Sequence, residues 1–368
     1  MAARALAPRP SFSSKPRYNR GQPTQNAYPS MTVPGPGLRL LAFDDGGARG
    51  FTMLLLLRDV LRKVQQSDGL PVLPMPCEYF DIIAGSGTGG LIALLLGRLR
   101  MSVEDAIECY ARVVAHVFTQ IKADGSFRAT PFEKVLREIS YRFGDGGETA
   151  ISDPHPFPCK TFVCAREVNG SGNVKMSKLR TYAISTEPAP HITLLQAARA
   201  TMGNPTFFKP MSVSNGVNSS TLLDAGDDYY NPVFALFDEA LSIYPSRHIG
   251  YLLSIGPGTA VTVGENPSHW FANRPKLPPS VISALCHLAD CCDRTASAFE
   301  KQHGQYCDER YFRLTPSRPA PDGRILWEQE EELKEFIAPY LATIRGQLEF
   351  LVVAIMNEQA LVTPRHRR

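Results

Sequence analysis

Glu78-Tyr79-Phe80-Asp81-Ile82-Ile83-Ala84-Gly85-Ser86-Gly87-Thr88-Gly89-Gly90-Leu91-Ile92-Ala93 is the stretch of this 368-residue chain that decides its fold. Residues 79–84 read as a buried strand that runs straight into a sharp turn of small residues, and an apolar helix follows. The same order occurs upstream. Leu38–Phe43 is a short apolar run, Asp45-Gly46-Gly47-Ala48-Arg49-Gly50 is a glycine-rich turn, and a helix carries Leu54, Leu57, Leu61 and Val64 on one face until Gly69. Strand, glycine turn and helix, twice over, indicate an α/β sandwich with a mostly parallel sheet.

Further strands are expected at 161–166, 179–184, 220–224 and 248–255, with a short one at Tyr311–Leu314. Capping boxes are expected at Ser102/Asp105 and at Thr130/Glu133, the latter with Pro131 in the first helical position. Helices are expected around Leu194–Thr201, after Asn231-Pro232, beyond Pro278 and after Pro339. The last places Leu341, Ile344, Leu348, Leu351 and Ile355 on one stripe. Three regions result: a basic, proline-rich, disordered tail over 1–37, a core over 38–237 carrying the glycine turns, and a strand-plus-helices extension over 238–368.

Hydrophobic residues make up 43% and charged residues 20% of the chain, which excludes wholesale disorder and a collagen-like or coiled-coil rod. The longest apolar runs, 51–57, 91–96 and 350–356, fall short of the roughly 18 residues of a spanning helix, so a soluble protein is expected. The formal charge of +3 is unevenly placed, because residues 1–37 hold Arg4, Arg9, Lys15, Arg17 and Arg20 and no acid. A mildly acidic body with basic ends has no nucleic-acid footprint, so no nucleic-acid partner is expected; weak attraction of the ends to an anionic membrane surface is the alternative. Prolines between Pro8 and Pro36 argue against the amphipathic helix of a transit peptide. The eight cysteines lack framework spacing and point to a reducing interior, with cytoplasmic localisation expected. Cys286-His287 and Asp290-Cys291-Cys292 match no zinc spacing and read as small thiols on a buried helical face. No metal and no cofactor are expected.

Three turns at strand ends could carry chemistry. Asp44-Asp45-Gly46-Gly47-Ala48-Arg49-Gly50 offers backbone N–H groups to a phosphate or an oxyanion, and Asp45 argues against a dinucleotide. Gly85-Ser86-Gly87-Thr88-Gly89 has the setting of a nucleophile elbow, G-x-S-x-G, with glycine at the centre. Leu223-Asp224-Ala225-Gly226 places an acid at a strand end, where it could act as a base.

These blocks, together with Ala197-Ala198-Arg199-Ala200-Thr201, Pro205-Thr206-Phe207-Phe208 and Asn231-Pro232, resemble the patatin-like phospholipases over roughly residues 38–315. The resemblance implies a three-layer α/β sandwich with a C-terminal helical extension, and acyl hydrolysis by a Ser–Asp dyad. It assigns the oxyanion amides to Gly46 and Gly47, a structural or anion-facing role to Arg49, and the base to Asp224. It also exposes departures. The family serine aligns with Gly87, its first oxyanion glycine with Asp45, and its D-G-G/A with Asp224-Ala225-Gly226.

Three functions remain open. The first is a pseudoenzyme that binds an acyl ester or lipid-like small molecule and has lost Ser–Asp hydrolysis. The second is an active hydrolase working through Ser86 or an activated water. The third is a non-hydrolytic cyclase or isomerase on a lipid- or polyketide-like substrate, with Asp45, expected beside the vacant nucleophile position and facing Asp224, sharing proton transfer with it. A serine placed at 87 is expected to come within reach of Asp224 and to raise ester hydrolysis well above that of the unmodified protein. Chain length, head group and oligomeric state have no sequence signal.

Overall fold

The computed structural model describes residues 36–118, 122, 124–214, 219–258, 279–305, 307, 310–316 and 330–362. The expected disordered tail therefore lies, except for Pro36 and Gly37, outside the described residues. The strands are β1 (Leu38–Phe43), β2 (Ile82–Ser86), β3 (Lys160–Val168), β4 (Val174–Arg180), β5 (Met211–Ser214), β6 (Ser219–Leu223), β7 (Ile249–Ile255) and β8 (Tyr311–Leu314). The helices are α1 (Gly50–Asp68), α2 (Pro76–Tyr79), α3 (Gly87–Ala93), α4 (Val103–Val113), α5 (Ala129–Phe143), α6 (Leu194–Thr201), α7 (Val233–Ile243), α8 (Pro279–His303), α9 (Glu330–Thr343) and α10 (Arg345–Val362).

One sheet runs β5-β6-β3-β2-β1-β7-β8, with β4 paired to β3. The β3-β2-β1-β7-β8 portion is parallel, and β4, β5 and β6 are antiparallel additions. Alternation along β1 sends Leu41 and Phe43 into one apolar layer and Leu38, Leu40 and Ala42 into the other. The first layer is closed by α1, α3, α4, α5, α6 and α10, and the second by α7. This is a three-layer α/β sandwich with a mostly parallel sheet. Helix α8 belongs to both layers. Val281, Leu288, Cys291 and Cys292 join the first and Phe299 the second, so the helix crosses the sheet edge where the strands end.

Several expected boundaries move. Pro76, at the first position of α2, starts a one-turn helix through Tyr79, so the strand begins at Ile82 and not at 79. Ser102 caps α4 by accepting from the Asp105 amide at 3.0 Å. Thr130 caps nothing: α5 already starts at Ala129, and Glu133 instead accepts from Arg199 Nε at 3.2 Å. The strand expected at 179–184 lies at Val174–Arg180, as the outer half of a hairpin with β3. Its mostly polar residues give it no buried run to read. Pro339 sits inside α9, and the helix bends by 77° into α10, where Leu348, Leu351 and Ile355 are buried. No single helix among the described residues is long and apolar enough to cross a membrane.

Candidate active site

The sheet register brings the second and third turns together. Strand β4 covers one edge of β3 from Phe162 to Val168. On the opposite edge, β2 pairs as far as Ser86↔Cys164 and β6 pairs from Val168↔Thr221 to Arg166↔Leu223. The ends of β2 and β6 thus meet head-on over Ala165, placing Gly87 opposite Asp224. The first turn arrives beside them because β1 is the other neighbour of β2. A Cβ on Gly89 would overlap the backbone of Phe43 and Asp44, so glycine there lets the two turns touch.

Gly87 has φ +53°, the left-handed backbone of a nucleophile elbow. What fills the side-chain position is Asp45. A Cβ built on Gly87 would fall inside the Asp45 carboxyl group, overlapping its carbon and both oxygens. Oδ1 of Asp45 accepts from the Thr88 amide at 3.1 Å, the Gly47 amide at 3.3 Å and the Thr88 hydroxyl at 3.3 Å. The Gly46 amide donates to Thr88 Oγ1 at 3.1 Å. Both amides expected to form an oxyanion hole therefore have acceptors within the protein, and for Gly47 the acceptor is itself a carboxylate.

Asp45 is 5% exposed, and burial pushes its carboxyl up from 3.8 to about 6. The amides of Thr88, Gly47 and Gly46 oppose the rise, and the negative charge of Asp224 adds to it. A proton bound more tightly in the folded state stabilises the fold at low pH, and that contribution is lost as pH rises through about 6. Asp45→Asn, which cannot ionise, is thus expected to be more stable than the parent above pH 6 by on the order of 3 kcal/mol. The gap should close toward pH 4, and urea denaturation at pH 7.5 and pH 4.5 would measure it.

Asp224 is 1% exposed and firmly held. Arg166 Nη2 donates to Oδ1 at 2.5 Å, while Tyr230 Oη and Asn204 Nδ2 donate to Oδ2 at 2.7 and 3.0 Å. These three residues were not singled out from the sequence. The signal available was position, since Asn204 directly precedes the Pro205-Thr206-Phe207-Phe208 block and Tyr230 directly precedes Asn231-Pro232.

Ser86 does not turn toward Asp224. Strand alternation puts it on the face shared by Ile82 and Ala84, where it is fully buried and its hydroxyl donates to the Tyr229 carbonyl. Arg49 is also buried. Its Nε and Nη1 donate to the carbonyls of Gly46 at 3.2 Å and Gly258 at 3.0 Å, and its Nη2 has no hydrogen-bond partner among the described residues. Asp44, next to Asp45, pairs with Arg313 of β8 at 2.5 and 2.9 Å, tying the first turn to the far edge of the sheet. Of the histidines downstream of Asp224, His303 stacks on Phe237 and Phe299, His248 lies 4.0 Å from Glu358, and His287 contacts Asp227. His269 lies outside the described residues.

The family model described as patatin-like phospholipase matches residues 41–237. Calcium-independent phospholipase A2-gamma of Mus musculus is 26% identical over 301 residues, covering 77% of this chain and 35% of the relative. A probable inactive patatin-like protein 9 of Arabidopsis thaliana is 27% identical, covering 62% of this chain and 61% of the relative. A cGAMP-activated phospholipase of Vibrio cholerae is 24% identical, with 60% and 64% covered. The chain spans about a third of the length of the mammalian relatives it matches.

Proposed function

Since the chain belongs to the patatin-like phospholipase family, we propose that it is a non-hydrolytic member that binds an acyl ester or lipid-like molecule. The observation that supports the loss of hydrolysis is the place of the Asp45 carboxylate. It fills the volume of the missing serine side chain and takes the Gly47 and Thr88 amides. An ester therefore meets neither a nucleophile nor unoccupied oxyanion donors. Removing a serine nucleophile alone costs about a million-fold in turnover, as measured in subtilisin. A carboxylate at the oxyanion donors adds charge repulsion to that loss. Hydrolysis through Ser86 is disfavoured by its burial and by its bond to Tyr229. The ligand is bound without being cleaved, in a cytoplasmic protein that meets membranes at their surface.

Proton-transfer chemistry on a lipid- or polyketide-like substrate is the second reading. One observation favours it: a carboxyl raised to about 6 lies beside a second buried carboxylate.

The experiment is binding with product analysis. A long-chain lysophospholipid or fatty acid should raise the melting temperature of the full chain, and the lysophospholipid should be recovered uncleaved. Cleavage that Ser86→Ala abolishes would refute the loss of hydrolysis. An absence of any stabilisation would refute ligand binding. Chemical conversion of a bound ligand without hydrolysis, lost in Asp45→Asn, would favour the second reading.

A further inference from the structure

Asp227, His287 and Cys291 come together outside the catalytic turns. Asp227 lies in the short turn that follows Asp224, while His287 and Cys291 lie four residues apart on one face of α8. Asp227 Oδ2 is 2.9 Å and Cys291 Sγ is 3.6 Å from the same imidazole nitrogen, His287 Nε2. All three donor atoms lie within 4.8 Å of one another.

That convergence separates two readings of the cluster. In a Cys–His–Asp relay the thiol and the carboxylate bond to opposite ring nitrogens, so that one positions the ring and the other exchanges a proton with it. Here both crowd Nε2, which carries a single proton or a single lone pair and cannot serve both. A cation seated among the three atoms would serve all of them. The spacing fits: around tetrahedral zinc, a thiolate at about 2.3 Å and an imidazole nitrogen at about 2.0–2.1 Å stand roughly 3.5 Å apart. Asp227 stands closer than that to the nitrogen, but its side chain is 58% exposed and has room to open outward. His287 is also exposed, so a fourth position faces water, while Cys291 closes the site from the buried side. Arg294 Nη2, which donates to Cys291 Sγ at 3.1 Å, belongs to an exposed side chain and can swing away.

We propose that Asp227, His287 and Cys291 form a binding site for a zinc-like divalent cation. Helical spacing alone does not reveal it, because the third ligand comes from a turn sixty residues upstream of His287. The site would clamp the turn after Asp224 onto α8. Cys292 of α8 reaches the Asp45 carbonyl and Asn231 donates to the Cys292 carbonyl, so cation binding would fasten the helix that lies across the site.

Full-length protein treated with chelator and titrated with Zn²⁺ against a colorimetric zinc indicator should bind one ion per chain, with a raised melting temperature. Co²⁺ in its place should give near-ultraviolet thiolate charge-transfer absorption. Cys291→Ser should abolish that absorption, and Asp227→Asn and His287→Gln should each weaken binding at least ten-fold. Cys286→Ser should leave both unchanged. Should Cys291→Ser not fold, the two exposed variants decide, since neither side chain supports the core. Charge-transfer absorption that survives Cys291→Ser, unchanged affinity in both exposed variants, or no tight zinc binding at all would overturn the proposal.

Discussion

Exchanging the two departures together, as Asp45→Gly with Gly87→Ser, is expected to create ester hydrolysis at least a hundred-fold above the unmodified protein, whereas Gly87→Ser alone creates none. The reason is steric and electrostatic at once. A side chain on Gly87 must occupy the volume of the Asp45 carboxyl group, at a backbone φ of +53° that disfavours any side chain. Displacing a buried carboxylate from its amide donors while accepting that strain should cost the single variant about 3 kcal/mol or more. Asp45→Gly removes the obstacle and leaves the Gly47 and Thr88 amides without the carboxylate they now serve. The gain should then depend on Asp224, and Asp224→Asn in the doubly exchanged protein should abolish it. It should stay below that of a fully evolved dyad, because Arg166, Asn204 and Tyr230 already engage both oxygens of Asp224. A misplacement of about 1 Å costs on the order of a hundred-fold. Chromogenic short-chain esters and thermal melts of the three variants measure both effects.

The second large effect lies at the opposite end of the strands and should leave the site alone. Arg39 in β1 and Asp81 just before β2 are buried together, with Nη2 to Oδ1 at 2.6 Å, Nε to Oδ2 at 3.0 Å and the Arg39 amide to Oδ2 at 3.0 Å. Burial alone would raise the Asp81 carboxyl, yet the guanidinium beside it holds it below the usual carboxylate range. Its contribution to stability is therefore present above the unfolded pKa and lost as pH falls through the folded one, opposite in sign to that of Asp45. Asp81→Ala strands the Arg39 charge and should cost about 3–5 kcal/mol, read as a shift in the urea midpoint at pH 7. An apolar pair, Arg39→Met with Asp81→Leu, should recover much of that loss. If the single change proves nearly neutral, the pair does not hold β1 and β2 together.

Strands β1 and β2 could be read from the chain because they are apolar runs that lead into glycine turns: Leu38–Phe43 is β1, and the residues around Ile82 and Ile83 are β2. Of the antiparallel additions, β6 is legible as the strand expected at 220–224, whereas β4 and β5 are not. Val174–Arg180 is mostly polar, with only Leu179 buried, and β5 is four residues long. The site divides along a similar line. Gly87, Asp224, Gly46 and Gly47 are placed by local pattern and the resemblance, and the register brings their turns together. That Asp45 takes the side-chain space of Gly87 depends on contact between turns 42 residues apart, which no spacing rule encodes. From sequence, Asp45 falls beside the vacant nucleophile position; in space its carboxyl group occupies that position outright.

The fate of the elbow is read most directly by covalent labelling with a fluorophosphonate probe, followed by peptide mass spectrometry. The unmodified protein should give no adduct at the elbow, because Gly87 offers no hydroxyl and the Ser86 hydroxyl is buried against Tyr229. The Asp45→Gly, Gly87→Ser protein should give one adduct, at residue 87. An adduct on Ser86 of the unmodified protein, formed at the rate of an ordinary serine hydrolase, would contradict a site vacated by serine and filled by Asp45.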